Sequence, residues 1–111
     1  MINYNFKLKI VETTGDKYLL VESEKKSIRQ LSDFDWTIDK LQTLSNNILI
    51  TKNSSEEYKW QNEGGLYIYS NDFGVQFFDL NSQENEADLI LEHDIFIQFL
   101  DDFKEFIELN S

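Results

Sequence analysis

The chain has 111 residues, of which 41% are hydrophobic and 28% charged, and a formal net charge of −11. This is ordinary globular composition, so wholesale disorder is excluded, and one domain spanning residues 1–111 with a single modest core is expected. Zero cysteines and one histidine, His93, exclude a disulfide framework, a thiol nucleophile and polyhistidine metal sites.

Tyr4, Phe6, Leu8 and Ile10 alternate with Asn5, Lys7 and Lys9, the period of a half-buried strand. The same stretch lacks the basic-then-apolar layout of a signal peptide, and no apolar run approaches the ~20 residues of a membrane span. A cytoplasmic location is therefore expected. Thr13-Thr14-Gly15-Asp16 is a turn signal, and Lys17 to Glu22 reads as a second strand forming a hairpin with the first. Ser23 to Arg29 is polar and fits either a loop or the start of a third strand around Ile28.

Ser32 and Asp35 have capping-box spacing, with Asp in place of the preferred Glu. Phe34, Ile38, Leu41 and Leu44 or Ser45 follow at helical intervals, which predicts a helix over 33–46 that stops at Asn46-Asn47. Asp33, Asp35 and Asp39 fall in its first half, where they suit the positive end of the helix dipole. Ile48 to Thr51 is short and mostly apolar, and fits either a strand or the end of a helix.

Tyr58 to Trp60, Leu66 to Tyr69 and Val75 to Leu80 are separated by turn signals at Glu63-Gly64-Gly65 and Asn71-Asp72-Phe73-Gly74, the pattern of a three-strand meander. Asn81 to Asp88 is an acidic loop, and Leu89 to Leu91 a candidate edge strand. Downstream of Asp94, a reasonable N-cap, Ile95, Phe96, Phe99, Leu100, Phe103, Phe106 and Ile107 share one helical face. Gln98, Asp101, Asp102, Glu105 and Glu108 share the other. The expected fold is α+β: a mainly antiparallel twisted sheet of about five or six strands, one central helix and one C-terminal helix.

The charge is unevenly distributed along the chain. Residues 1–60 carry nine acids and nine bases, whereas residues 61–111 carry twelve acids and one base, Lys104. Nucleic acid and anionic lipid are unsuitable partners for such a half, because phosphate contacts need clustered Lys and Arg. The pattern fits a cationic partner, or simply an acidic, solvated surface.

No catalytic set stands out. His93 has no Gly-x-Ser-x-Gly elbow to serve, and Glu92-His93-Asp94 reads as the start of a helix. Asp79, Glu84, Glu86 and Asp88 lack the order and glycine of a calcium loop. Trp60, Tyr67 and Tyr69 lack the cluster of cations that base stacking would need, so core packing or a protein-binding anchor is the better account. The expected chain is not an enzyme and needs no cofactor or metal.

Trp60-Gln61, Gly64, Tyr67, Asp72, Leu89-x-Leu91 and the terminal helix together resemble the YacL-type family of small, acidic bacterial proteins, over residues 58–107. Gly74 is displaced by one position from that family's turn glycine. The resemblance implies a housekeeping interaction protein and carries over no catalytic residues. In size, charge and lack of chemistry the chain also resembles the immunity proteins of bacterial toxin systems, including those of contact-dependent growth inhibition. That likeness implies a protein that neutralises a cognate basic toxin, such as a nuclease domain, without binding nucleic acid or membrane. The candidate partner-binding residues are Asp72, Asp79, Glu84, Glu86, Asp88 and Glu92, with Trp60 or Tyr67 as an aromatic anchor.

Overall fold

The alternation near the N-terminus becomes β1 (Tyr4–Ile10), paired antiparallel with β2 (Lys17–Ser23) so that Phe6 faces Val21 and Leu8 faces Leu19. Gly15, at φ 74°, supplies the left-handed residue of the connecting turn. The computed structural model describes residues 3–10, 12–33, 36–62, 65–82 and 86–110.

The segment after β2 is helical rather than a loop or strand: α1 (Lys26–Arg29) runs into a 3-10 turn (Gln30–Asp33). Ile28 and Leu31, three residues apart, are both fully buried, and only a helical turn brings them to one side. Ser32 is not a cap. Its hydroxyl accepts from the Val21 N–H at 2.8 Å and donates to the Val21 carbonyl at 3.3 Å, tying the turn to β2. Phe34 and Asp35 lie outside the described residues.

The central helix, α2, is Ile38–Lys52, starting later and ending later than the predicted 33–46. Thr37 is its N-cap, in extended conformation with its hydroxyl accepting from the Lys40 N–H at 3.2 Å. Asn46 and Asn47 do not stop it. Their side chains bond within the helix, Gln42 donating to Asn46 at 2.8 Å and Asn47 donating to the Thr43 carbonyl at 2.9 Å. Ile48 and Thr51 extend the buried stripe of Leu41, Leu44 and Ser45, so burial overrides the weak helix propensity of this stretch.

A four-stranded antiparallel sheet follows, in the order β3 (Tyr58–Gln61), β4 (Leu66–Asn71), β5 (Gly74–Asp79) and β6 (Leu89–Leu91). Asn71 pairs with Gly74 across a tight turn in which the Asn71 side chain accepts from the Phe73 N–H at 3.0 Å. In the β3–β4 turn Gly65 adopts φ 95°, while Glu63 and Gly64 lie outside the described residues. The C-terminal helix, α3, is His93–Leu109, with Glu92 rather than Asp94 at the N-cap and Asp94 in the first turn. The fold is α+β, and the six strands among the described residues divide into sheets of two and four.

One hydrophobic cluster joins these pieces, running from Val21 and Ile28 through α2 and the inner face of the larger sheet to Phe96, Phe99, Leu100 and Phe103 of α3. The side of α3 predicted to be apolar faces this cluster, with Phe77 edge-on to Phe96 at 5.1 Å. The hairpin docks on the same helix, Phe6 lying 4.9 Å from Phe103, 5.5 Å from Phe106 and 5.6 Å from Phe99.

Candidate functional site

Strands β4 and β5 carry large side chains on both faces. Leu66, Ile68, Ser70, Val75 and Phe77 point inward and are buried. The opposite parity places Tyr67, Tyr69, Gln76 and Phe78 on the outer face, where they remain only half-buried. Cross-strand pairing adds Lys59 and Gln61 from β3 and Ile90 from β6 to this face, all exposed. Tyr67 meets Phe78 edge-on at 5.9 Å, and the Lys59 ammonium lies 5.9 Å from the centre of the Tyr69 ring. A hydrogen bond to the Glu57 carboxylate is the main influence holding the Tyr69 phenol above its usual pKa.

Carboxylates mark both ends of this outer face. Glu57 before β3, Asp72 in the β4–β5 turn and Glu92 after β6 share one end, because Tyr58 pairs with Ser70, Asn71 with Gly74 and Val75 with Leu91. Asp88 lies at the other end, where it accepts from the Asp79 N–H at 2.9 Å, and exposed Glu86 precedes it by two residues in the chain. Phe73 projects beside Asp72 at the hairpin tip, 87% exposed, and Ile90 on β6 is 62% exposed.

The sequence-predicted residues are thus only partly brought together. Asp72, Asp88 and Glu92 are exposed at the ends of the outer face, and Glu86 is exposed in the loop just before Asp88. Glu84 lies outside the described residues. Asp79 faces inward opposite Leu66, and its carboxylate is 2.6 Å from the Lys26 ammonium with only 7% of its side chain exposed. That hydrogen bond, with a second from the Asn81 N–H, holds the carboxyl below its ordinary range. The two aromatic anchors lie on opposite faces of the sheet. Tyr67 is outward, whereas Trp60 pairs with Ile68 on the inner side.

Trp60 stacks on Trp36 with ring centres 5.2 Å apart and planes 19° from parallel. The two indoles line an open groove of about 270 Å³ between α2 and β3, together with Tyr58, Leu44, Thr43, Asp39 and Lys40. Sequence reading weighed Tyr69 with Trp60 and Tyr67 but missed Phe78, Phe73 and Ile90 as surface candidates. The signal was present: a meander whose strands are aromatic at both parities cannot bury both faces beneath helices packed on one side.

Cross-pairing also blurs the charge asymmetry of the sequence. Lys26 pairs with Asp79 and Lys52 with Asp94, each at 2.6 Å, so two bases of the balanced half serve acids of the other. Asp101, Glu105 and Glu108 remain exposed on the outer side of α3.

His93 is buried, and its Nε2 lies 2.6 Å from the Asn71 carbonyl. A carbonyl only accepts, so Nε2 carries a proton and pins the start of α3 to the β4–β5 turn. Among the described residues there is no group of three or more His, Cys, Asp or Glu placed to hold a metal ion. Nor is any described helix long and apolar enough to cross a membrane. Comparison with models of protein families, with curated proteins and with solved structures finds no match to this chain.

Proposed function

We propose that this chain is an immunity-type inhibitor that binds a basic toxin domain through the outer face of its four-stranded sheet. The observation that supports this reading is a half-exposed aromatic surface, Tyr67, Tyr69 and Phe78, with carboxylates at both ends and exposed Phe73 and Ile90 at its margins. Aromatic side chains at the centre of a contact supply most of its binding energy, and a surrounding polar rim excludes water from them. The acidic rim adds long-range attraction for a cationic surface, such as the substrate cleft of a nuclease, and speeds encounter at low salt. Asp79 holds the fold through Lys26 in this reading, and Trp60 is not part of the contact.

The reading expects a secreted toxin encoded immediately upstream, and the test is co-expression with the C-terminal domain of that neighbour; absence of such a neighbour also counts against the reading. Rescue of growth by this chain is expected, with formation of a stable complex. The triple reversal Asp72→Lys, Glu86→Lys and Glu92→Lys is expected to slow association by about tenfold or more at low salt and to flatten its salt dependence. Absence of rescue, or rescue and association that ignore the reversal, overturns the reading.

A further inference from the structure

We propose that the groove between α2 and β3 receives an extended peptide segment of a partner protein, which adds to the free edge of β3 as a new strand and lays one apolar side chain against the Trp36–Trp60 stack. This goes beyond the outer-face reading, because the groove opens on the inner side of the sheet and uses none of the rim carboxylates.

Two independent features meet here. The first is the edge. β3 is terminal in its sheet, and among the described residues no strand pairs with its outer side. The Asn62 N–H donates to the Leu66 carbonyl at 3.0 Å. Antiparallel alternation then directs the backbone groups of Tyr58 and Trp60 toward β4 and those of Lys59 and Gln61 away from it. An unpaired row of this kind is a template for strand addition.

The second feature is the groove beside that edge. Its floor includes buried Trp36 and Leu44, and its wall on the strand side is Tyr58 and Trp60. Tyr58 and Trp60 are two residues apart and share the inner parity of β3, so an added strand would direct every second side chain into the same space. The volume of about 270 Å³ suits a leucine-sized or aromatic side chain.

Charge selects the occupant. Lys59 stands exposed at the middle of the short edge and faces the outer side. A second copy of the chain, paired edge to edge, would bring Lys59 opposite or diagonal to its own counterpart, which like-charge repulsion opposes. A foreign segment with a carboxylate at the outward position next to its apolar residue would instead pair with Lys59.

The experiment is selection of a random decapeptide library displayed on phage against the full chain, followed by titration with tryptophan-free synthetic versions of the enriched sequences. Trp36 and Trp60 are the only two tryptophans and both line the groove, so intrinsic fluorescence reports on this site alone. Enriched peptides are expected to place a leucine or aromatic residue beside an acidic one and to shift the tryptophan emission saturably. Lys59→Pro, which removes an edge-facing N–H and leaves the β3–β4 bonds intact, is expected to weaken binding by about tenfold or more. Thr43→Arg, which fills the groove from an exposed helix position, should do the same and serves alone if the proline variant does not fold. Asp72→Lys should leave the affinity unchanged, separating this site from the acidic rim. No enrichment, binding that ignores both Lys59→Pro and Thr43→Arg, or self-association abolished by Lys59→Pro would each overturn the proposal.

Discussion

The Lys26 ammonium sits 2.6 Å from the Asp79 carboxylate, joining the short helix after the hairpin to the end of β5. The carboxylate also accepts from the Asn81 N–H at 2.9 Å, which ties the start of the β5–β6 loop to the same point. These bonds favour the ionised acid, so its carboxyl lies below the ordinary value of 3.8 in the folded chain. A group whose pKa falls on folding stabilises the fold above its unfolded value, and that contribution disappears as pH falls through the folded value. Asp79→Asn is therefore expected to lower the melting temperature at neutral pH and to flatten its decline on acidification below pH 4. Parallel melts of both proteins between pH 2.5 and 7 check this. Identical curves would show that the pair contributes nothing.

A two-stranded hairpin is marginal alone in water, so β1 and β2 depend on their docking to α3. Phe6 is the principal contact, lying within 5.6 Å of Phe99, Phe103 and Phe106, while Tyr4 sits edge-on to Phe99 at 4.8 Å and its hydroxyl donates to Asp102. Phe6→Ala is expected to cost about 3 kcal/mol, at the low end for aromatic truncation because the ring is half-buried. Amide exchange should accelerate selectively over residues 4–10 and 17–23, with the four-stranded sheet still protected. Uniform acceleration across the chain would show that the hairpin is not a separable unit.

Buried beneath α2, the Thr51 hydroxyl lies 2.7 Å from the Ile48 carbonyl and 2.6 Å from the Ser70 hydroxyl. Thr51 has one proton to give and a carbonyl only accepts, so Ser70 donates to Thr51, which donates to Ile48. Removing Ser70 alone leaves Thr51 short of a donor, and Thr51→Val alone strands the Ser70 proton in the core. Each single change is expected to cost about 1–3 kcal/mol, whereas the double variant Thr51→Val with Ser70→Ala should cost less than their sum. Chemical denaturation of the four proteins supplies the cycle, and strict additivity would dissolve the pair as an energetic unit.

Much of the architecture is legible in local pattern. The alternation of Tyr4, Phe6 and Leu8, the turn Asn71-Asp72-Phe73-Gly74 and the apolar face of α3 need only one element each to be recognised, because side-chain period follows backbone geometry. α2 is the instructive exception. Its cap, Thr37, is a residue type that caps readily, but its last turns include Ile48 and Thr51, whose β-branched side chains disfavour helix, and there burial against the sheet and contact with Ser70 decide. Ser32, which has the spacing of a cap, bonds instead to a strand eleven residues back.

The acidic half is a property of composition, and no folding step is needed to see it. Where its carboxylates face is a different matter, since charge along a chain says nothing about which bases the fold brings near. Packing sends Asp79 inward to Lys26, leaves Asp72 and Glu92 at one end of the sheet with Asp88 at the other, and sets Trp60 and Tyr67 on opposite faces. Adjacent strand residues point to opposite sides, so a shift of one position in register would have exchanged these faces entirely. The β4–β5 register follows from the local turn that pairs Asn71 with Gly74. The face that the helices cover and the base that meets Asp79 are instead set by contacts between residues distant in the chain, and it is there that the candidate surface is chosen.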